Sequence, residues 1–173
     1  MYDVVIAGAG PAGSVAATVL ARAGARVALI DRARFPRHKL CGDTLNPGVL
    51  TILRRLKLAS MAEACGLPIT GMLLTGEDGA TVEGRYPDGL AARAIKRADF
   101  DWALVREAEA AGANVLDDTV VVEPIVDSGG QHPAVAGLWV RSRNGLKREL
   151  RGAVTIGADG RRSRIAFGLG LSR

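Results

Sequence analysis

An α/β fold, with a parallel sheet and β insertions, is what this sequence predicts, and three observations predict it. A strand-like run, a helical run and a second strand-like run follow one another within about 30 residues, the size of one βαβ unit. A glycine-rich turn joins the first strand to the helix. Of 173 residues, 48% are hydrophobic but only 4% aromatic, and Gly numbers 22, so the core must be Ala, Val, Leu and Ile packed close to backbone. That texture suits helices lying tightly on a parallel sheet.

The elements justify themselves in order. Tyr2 to Ala7 (YDVVIA) is the short β-branched run of a strand buried on both faces. Pro11 to Ala23 is Ala-rich, with Val15, Val19 and Leu20 on one side and Gly24 as a stop, which predicts a helix of about three turns. Arg26 to Asp31 (RVALID) is the second strand. Residues 32–47, punctuated by Pro36, Gly42 and Pro47, read as a long loop, and long loops in compact domains usually carry function. Gly48 to Leu58 resumes helical spacing, and short β-like runs such as ITGMLLTG and AARAIK fill residues 69–96. Asp99 is placed to cap a helix from Phe100 to Ala111. Asn114 to Val126 is β-rich, Leu138 to Arg151 reads as a hairpin turning at Asn144-Gly145, and Ala153 to Gly157 as one more buried strand.

Composition narrows the function. No stretch reaches the roughly 18 uninterrupted apolar residues of a membrane span, and the chain runs straight into a strand with no targeting segment, so a cytoplasmic protein is expected. The net charge of +5 comes from scattered residues, apart from Arg32, Arg34, Arg37 and Lys39; a cluster just after a glycine-rich turn faces a pyrophosphate rather than nucleic acid. Cys41 and Cys65 lack the spacing of a zinc site or a disulfide framework and read as reduced thiols, with no metal expected. The only histidines, His38 and His132, fall in loops and support no hydrolytic pair.

Gly8-Ala9-Gly10-Pro11-Ala12-Gly13 matches GxGxxG where the mechanism needs it, after a strand and opening a helix, and so predicts a Rossmann-like dinucleotide site. Gly8 permits the turn, Gly10 lets backbone approach a pyrophosphate, and Gly13 lets helix and strand pack closely. The helix start offers free N–H groups and partial positive charge. Asp31, 18 residues beyond Gly13, is placed to accept hydrogen bonds from an adenosine ribose, and its charge disfavours a 2′-phosphate. NAD and FAD both remain. Gly157-Ala158-Asp159-Gly160 with Ser163 forms either a second phosphate-facing turn or a plain loop with an Asx turn.

Together, GAGPAG at 8–13, Asp31-Arg32, Pro36-Arg37 with Lys39-Leu40-Cys41-Gly42, Arg97 with Phe100-Asp101 and Leu104, and GADGRRS at 157–163 resemble the FAD-binding oxidoreductases of the para-hydroxybenzoate hydroxylase type. Within them they resemble the geranylgeranyl reductase family. The Pro/Arg-rich loop ending in Cys-Gly points to that branch, as does Ala166, where the wider family often has Arg. The resemblance implies FAD as cofactor and NAD(P)H as transient reductant, with Gly8, Gly10, Pro11, Ala12 and Gly13 at the pyrophosphate. It further places Asp31 and Arg32 by the ribose and Cys41, Gly42 and Thr44 on the approach to the flavin. Arg97 and Val121 would then touch the nucleotide half, and Asp159 would shape the pyrophosphate and NAD(P)H side. Against this, Cys41 also reads as a small buried hydrophobe, Arg97 as a solvated base and Val121 as a core valine. No residue is assigned a catalytic role.

The implied activity is reduction of isoprenoid carbon–carbon double bonds. The alternatives are an aromatic monooxygenase, a cofactor-binding fragment without turnover, or an NAD-linked dehydrogenase. The partner expected is a small isoprenoid or aromatic substrate, not nucleic acid. The resemblance also implies a later Gly-Asp motif and a substrate domain, which would make residues 1–173 the N-terminal part of an FAD-binding domain in a longer protein, with any peripheral membrane contact made by the part that follows.

Overall fold

In the computed structural model, which describes residues 1–87, 89–129 and 134–171, the first strand, β1 (Tyr2–Ala7), is buried from Val4 onward. It pairs in parallel with β2 (Val27–Ile30) on one side and with β11 (Lys147–Gly157) on the other. Beyond β2 lies β8 (Asn114–Leu116), also parallel. Next to β11 come β10 (Ala134–Ser142) and β9 (Thr119–Asp127), both antiparallel, so the six strands run β8-β2-β1-β11-β10-β9. This sheet belongs to a compact unit of Met1–Arg37 and Asp101–Arg173. His38–Phe100 forms a second unit. His132 lies outside the described residues.

The chain joins β1 to β2 through α1 (Pro11–Arg22), which Gly24 ends. Gly24 sits at φ +88°, its N–H donates to the Ala21 carbonyl, and the Ala25 N–H reaches back to the Leu20 carbonyl. This is the left-handed stop that glycine serves best. The buried face of α1 is not the expected Val15, Val19 and Leu20 stripe. It is Gly13, Ser14, Ala17, Thr18 and Ala21, and Val19 is 40% exposed. The helix lies so close to β1 that only small side chains fit between them, and Leu20 packs at the margin. Ser14 and Thr18 are satisfied locally, donating to the Ala9 and Ser14 carbonyls at 3.1 and 2.8 Å.

Val4, Ile6, Val27 and Leu29 share a core with α1 and with Val105 and Ala108 of α4 (Arg97–Ala110). The opposite residues, Val5, Ala7, Ala28 and Ile30, pack on Val121, Leu138, Val140, Leu150 and Ile165. One face of the parallel strands is therefore covered by helices and the other by a β meander with α5 (Arg164–Gly168). The hairpin turns where expected, with Gly145 at φ +82°. The stretch Ala153 to Gly157 is not the buried strand its composition suggested. It is the second half of β11, paired with β1 on one side only, since β10 pairs with residues 147–151, and Val154 is 52% exposed.

In the second unit, β3 (Thr44–Leu45), β7 (Ala92–Ala94) and β4 (Leu67–Ile69) make a small antiparallel sheet, and β5 (Gly71–Thr75) pairs with β6 (Thr81–Arg85). The helix expected to reach Leu58 is α2 (Pro47–Arg55), capped by Asn46, whose side chain accepts the Val49 N–H at 2.9 Å. It stops early because Lys57 takes a left-handed conformation, φ +57°, and the Leu58 N–H bonds back to Leu53. A further short helix, α3 (Ser60–Cys65), was not expected from the sequence. Nor does Asp99 cap α4, which already starts at Arg97; the Arg97 N–H donates instead to the Asp43 side chain at 3.1 Å.

Candidate functional site

Parallel register brings the site together. Ala7 is level with both Ile30 and Gly157, and Ile30 with Leu116, so Gly8, Asp31, Asp117 and Ala158 leave the sheet side by side at its carboxyl edge. The order of strands reverses between β1 and β11, and ligands of open α/β sheets bind at such switch points.

Backbone packing builds the turn. Gly8 sits at φ +97° with its N–H on the Ile30 carbonyl at 2.7 Å, and a Cβ there would run into the Ala158 carbonyl. A Cβ at Gly13 would collide with the Gly8 carbonyl oxygen. Gly10 differs: a Cβ there would meet only the Arg37 Nη2, at 3.7 Å. At Gly8 and Gly13 a side chain is excluded by backbone, whereas at Gly10 there is room for one. Gly10 is the N-cap of α1, Pro11 follows with no N–H to lose, and the amides of Ala12 and Gly13 have no acceptor within the helix. Ala12 is exposed.

Asp31 stands beside this turn and accepts two backbone N–H groups, Ala9 on Oδ2 and Ala33 on Oδ1, both at 2.9 Å. A carboxylate oxygen accepts more than one hydrogen bond, so a ribose hydroxyl fits a carboxylate already held in position. Arg32 next to it is exposed. On the other side, the Ala158 N–H donates to the Ala7 carbonyl at 2.7 Å, which ties the GADG turn to the end of β1. Asp159 Oδ2 accepts the Arg164 N–H at 2.7 Å, while Oδ1 is buried with no hydrogen-bond partner. Ser163 caps α5 through the Ala166 N–H at 3.0 Å. Val121 is a core residue of β9. A cavity of about 300 Å³, lined by Thr155, Gly157, Ser163, Ile165 and Leu169 among others, includes no residue of the fingerprint.

In the second unit Cys41 and Gly42 lie on an exposed loop that leads into Thr44, the exposed first residue of β3, so Cys41 is not the buried hydrophobe that one reading allowed. The Arg97 guanidinium bonds to its thiol and, with the backbone at Asp43 and Gly42, holds its pKa below the ordinary thiol value. Thr44 Oγ1 donates to the Gly42 carbonyl at 2.9 Å. Asp43 was not singled out by sequence, yet it ties this loop to the segment that leads into α4. Its side chain caps α4 at Arg97 and its carbonyl accepts the Ile95 N–H at 2.8 Å. Only its short polar side chain before a Thr hinted at that role, and its partners lie more than 50 residues away.

Bare backbone at Gly10, a helix start, a positioned carboxylate and an orphaned buried Asp159 oxygen fit the adenosine diphosphate part of a dinucleotide. No group of His, Cys, Asp and Glu that could hold a metal occurs among the described residues, and no described helix is long and apolar enough to cross a membrane.

Comparison with known proteins agrees with this geometry. The family model described as FAD binding domain matches residues 1–173. Menaquinone reductase of Mycolicibacterium smegmatis is 40% identical over 136 residues, which cover 77% of this chain and 33% of that protein. Digeranylgeranylglycerophospholipid reductase of Methanoculleus marisnigri is 33% identical over 98% of this chain and 41% of its own length. The myxobacterial chondrochloren halogenase CndH, an FAD-dependent halogenase, superimposes with a TM-score of 0.85 at 26% identity, over 96% of this chain and 39% of that one. The chain thus spans well under half the length of each.

Proposed function

The chain belongs to the FAD binding domain family of flavin-dependent oxidoreductases, and on that premise we propose that it serves an enzyme that reduces isoprenoid carbon–carbon double bonds with NAD(P)H as ultimate donor. The observation that carries this reading is the likeness, over 98% of the chain, to a reductase whose name specifies a geranylgeranyl lipid. The Pro36-Arg37 to Cys41-Gly42 loop supports the same branch by resemblance.

In this reading the Ala12 and Gly13 amides and the start of α1 hold the pyrophosphate, and the bare backbone of Gly10 admits it closely. Asp31 accepts the ribose hydroxyls, and Asp159 lies on the pyrophosphate and NAD(P)H side. By resemblance, Cys41, Gly42 and Thr44 are assigned to the flavin approach, and Arg97 and Val121 to the nucleotide half of the cofactor. The chemistry that FAD supplies when bound is hydride acceptance and donation, which no side chain here provides. The work of these residues is to bind and orient.

A second reading, a flavin monooxygenase in which oxygen takes the electrons, is favoured by the superposition on a flavin-dependent monooxygenase, PieE, with a TM-score of 0.81 at 25% identity. The test uses the full-length protein reconstituted with FAD. Under anaerobic conditions with NADPH and a geranylgeranyl lipid, products gaining two hydrogens per double bond are expected. Oxidation of NADPH that requires oxygen and an aromatic substrate would replace this reading with the second. Residues 1–173 alone, loaded with FAD, are expected to show no acceptor-dependent turnover, because the ring would lack the orientation and water exclusion that raise rates.

A further inference from the structure

Of the four basic residues clustered after β2, Arg32, Arg34 and Lys39 are exposed, and Arg37 alone is drawn inward, its side chain 15% exposed. Its Nη2 lies 3.3 Å from Oδ2 of Asp101, a fully buried carboxylate in α4. The guanidinium also sits over the Phe35 ring, 5.0 Å from its centroid, and Phe35 stacks on Trp102, the neighbour of Asp101. The fork is therefore held from two sides. Among the described residues, Nη2 is the atom that a Cβ at Gly10 would meet, at 3.7 Å, and Nη1 is buried without an acceptor.

We propose that Arg37 is an arm that donates to the pyrophosphate over Gly10, and that Asp101 is the residue that positions it. The proposal rests on the dinucleotide reading above and adds two residues to it. A planar guanidinium carries five donors, and a single carboxylate cannot use them all. Nη2 meets Asp101 as an ion pair at 3.3 Å, which leaves N–H groups of the guanidinium for an oxyanion at the α1 start. Arg is suited to this task because its fork bonds phosphate and carboxylate at once. Burying Asp101 without a partner would be costly, so the pair locks itself in place and the arm is set before ligand arrives. Because the pair is neutral as a whole, its contribution is directional rather than a long-range field.

The test compares ADP, which carries the pyrophosphate, with adenosine, which does not, by saturation-transfer NMR on the full chain at fixed ionic strength. Removing Arg37 alone would take the ion-pair partner from a buried carboxylate, so the main variant replaces both residues with apolar groups of similar size, Arg37→Met with Asp101→Leu. It is expected to keep its circular dichroism, to lose about tenfold or more in ADP affinity, and to bind adenosine as the wild type does. Asp101→Asn, which keeps the shape but weakens the anchor, is expected to lose ADP affinity in part, again with adenosine unchanged. Adding it to Arg37→Met should cost nothing further, as a residue acting through another requires. Unchanged ADP affinity in a folded double variant overturns the arm, and additive losses overturn the positioning role. Failure of the wild type to bind either probe overturns the dinucleotide reading itself.

Discussion

In the first unit a methyl group at Gly13 would collide with the Gly8 carbonyl oxygen, whereas in the second a methyl group at Gly42 would meet nothing within 4 Å. Both glycines belong to the motifs that carry the family resemblance, yet they are there for different physical reasons. The turn from Gly8 to Gly13 is fixed by backbone packed on backbone. The loop around Cys41 is exposed and is held by side-chain bonds from Arg97, Asp43 and Thr44. The difference teaches that the proposed nucleotide half is built into the core of its unit, while the proposed flavin approach is tied down residue by residue.

Substitutions can break this contrast. Gly13→Val is expected to have the largest effect, about 3 kcal/mol or more of lost stability, since neither the Gly8 carbonyl nor the Ala158 side chain has room to yield. Gly42→Ala is its counterpart and should change stability by less than about 0.5 kcal/mol. Thermal melts of the two check both values, and equal losses would erase the distinction. Gly10→Val should leave circular dichroism unchanged yet abolish flavin retention, because its side chain enters the space between the turn and the Arg37 guanidinium that the pyrophosphate needs. A Gly10→Val protein that still purifies yellow places the pyrophosphate elsewhere.

Asp31→Ala sits one step lower. It removes the acceptor for two backbone N–H groups and the proposed ribose contact, and FAD affinity should fall roughly ten- to a hundred-and-fifty-fold. Titration of both proteins with FAD at one salt concentration measures this, and equal dissociation constants remove Asp31 from the site. The smallest effect concerns Cys41. Its thiol pKa is lowered chiefly by the Arg97 side chain, so Cys41 alkylation should reach its plateau at a lower pH in the wild type than in Arg97→Leu. Removing the guanidinium raises the thiol pKa and slows alkylation at neutral pH. Coincident pH–rate profiles would show that Arg97 does not govern the thiol.

The same contrast explains what was legible in the sequence. Gly24 and Lys57 end helices with the same left-handed geometry and the same back-bonded amides, but only the glycine announces itself. The α2 helix was therefore read past its true end. Asp99 has the residue type and place of a cap, and lost that role to Asp43, 54 residues from Arg97, because loop packing brings a distant carboxylate to the same amide. In α1 the expected stripe of larger side chains gave way to Gly13, Ala17 and Ala21, since the fingerprint forces helix and strand too close for branched residues. The six-residue fingerprint, Asp31 and the GADG turn were legible because each follows a strand-like run at a recognisable spacing, although their contacts, such as Ala9 to Asp31 and Ala158 to Ala7, cross long stretches of sequence. Where the apolar residues of β5 and β6 go was not. Met72, Leu73, Leu74 and Val82 have the apolar character of buried strands, yet all four are more than half exposed.

The most direct test of the nucleotide site is a titration of this chain with FAD and with riboflavin in parallel, followed by flavin fluorescence, with ADP as competitor. If the carboxyl edge of β1, β2 and β11 holds the adenosine diphosphate part, FAD binds, riboflavin does not, and ADP displaces FAD. Equal binding of riboflavin and FAD, with no displacement by ADP, would contradict it and put the flavin, not the nucleotide, on these residues.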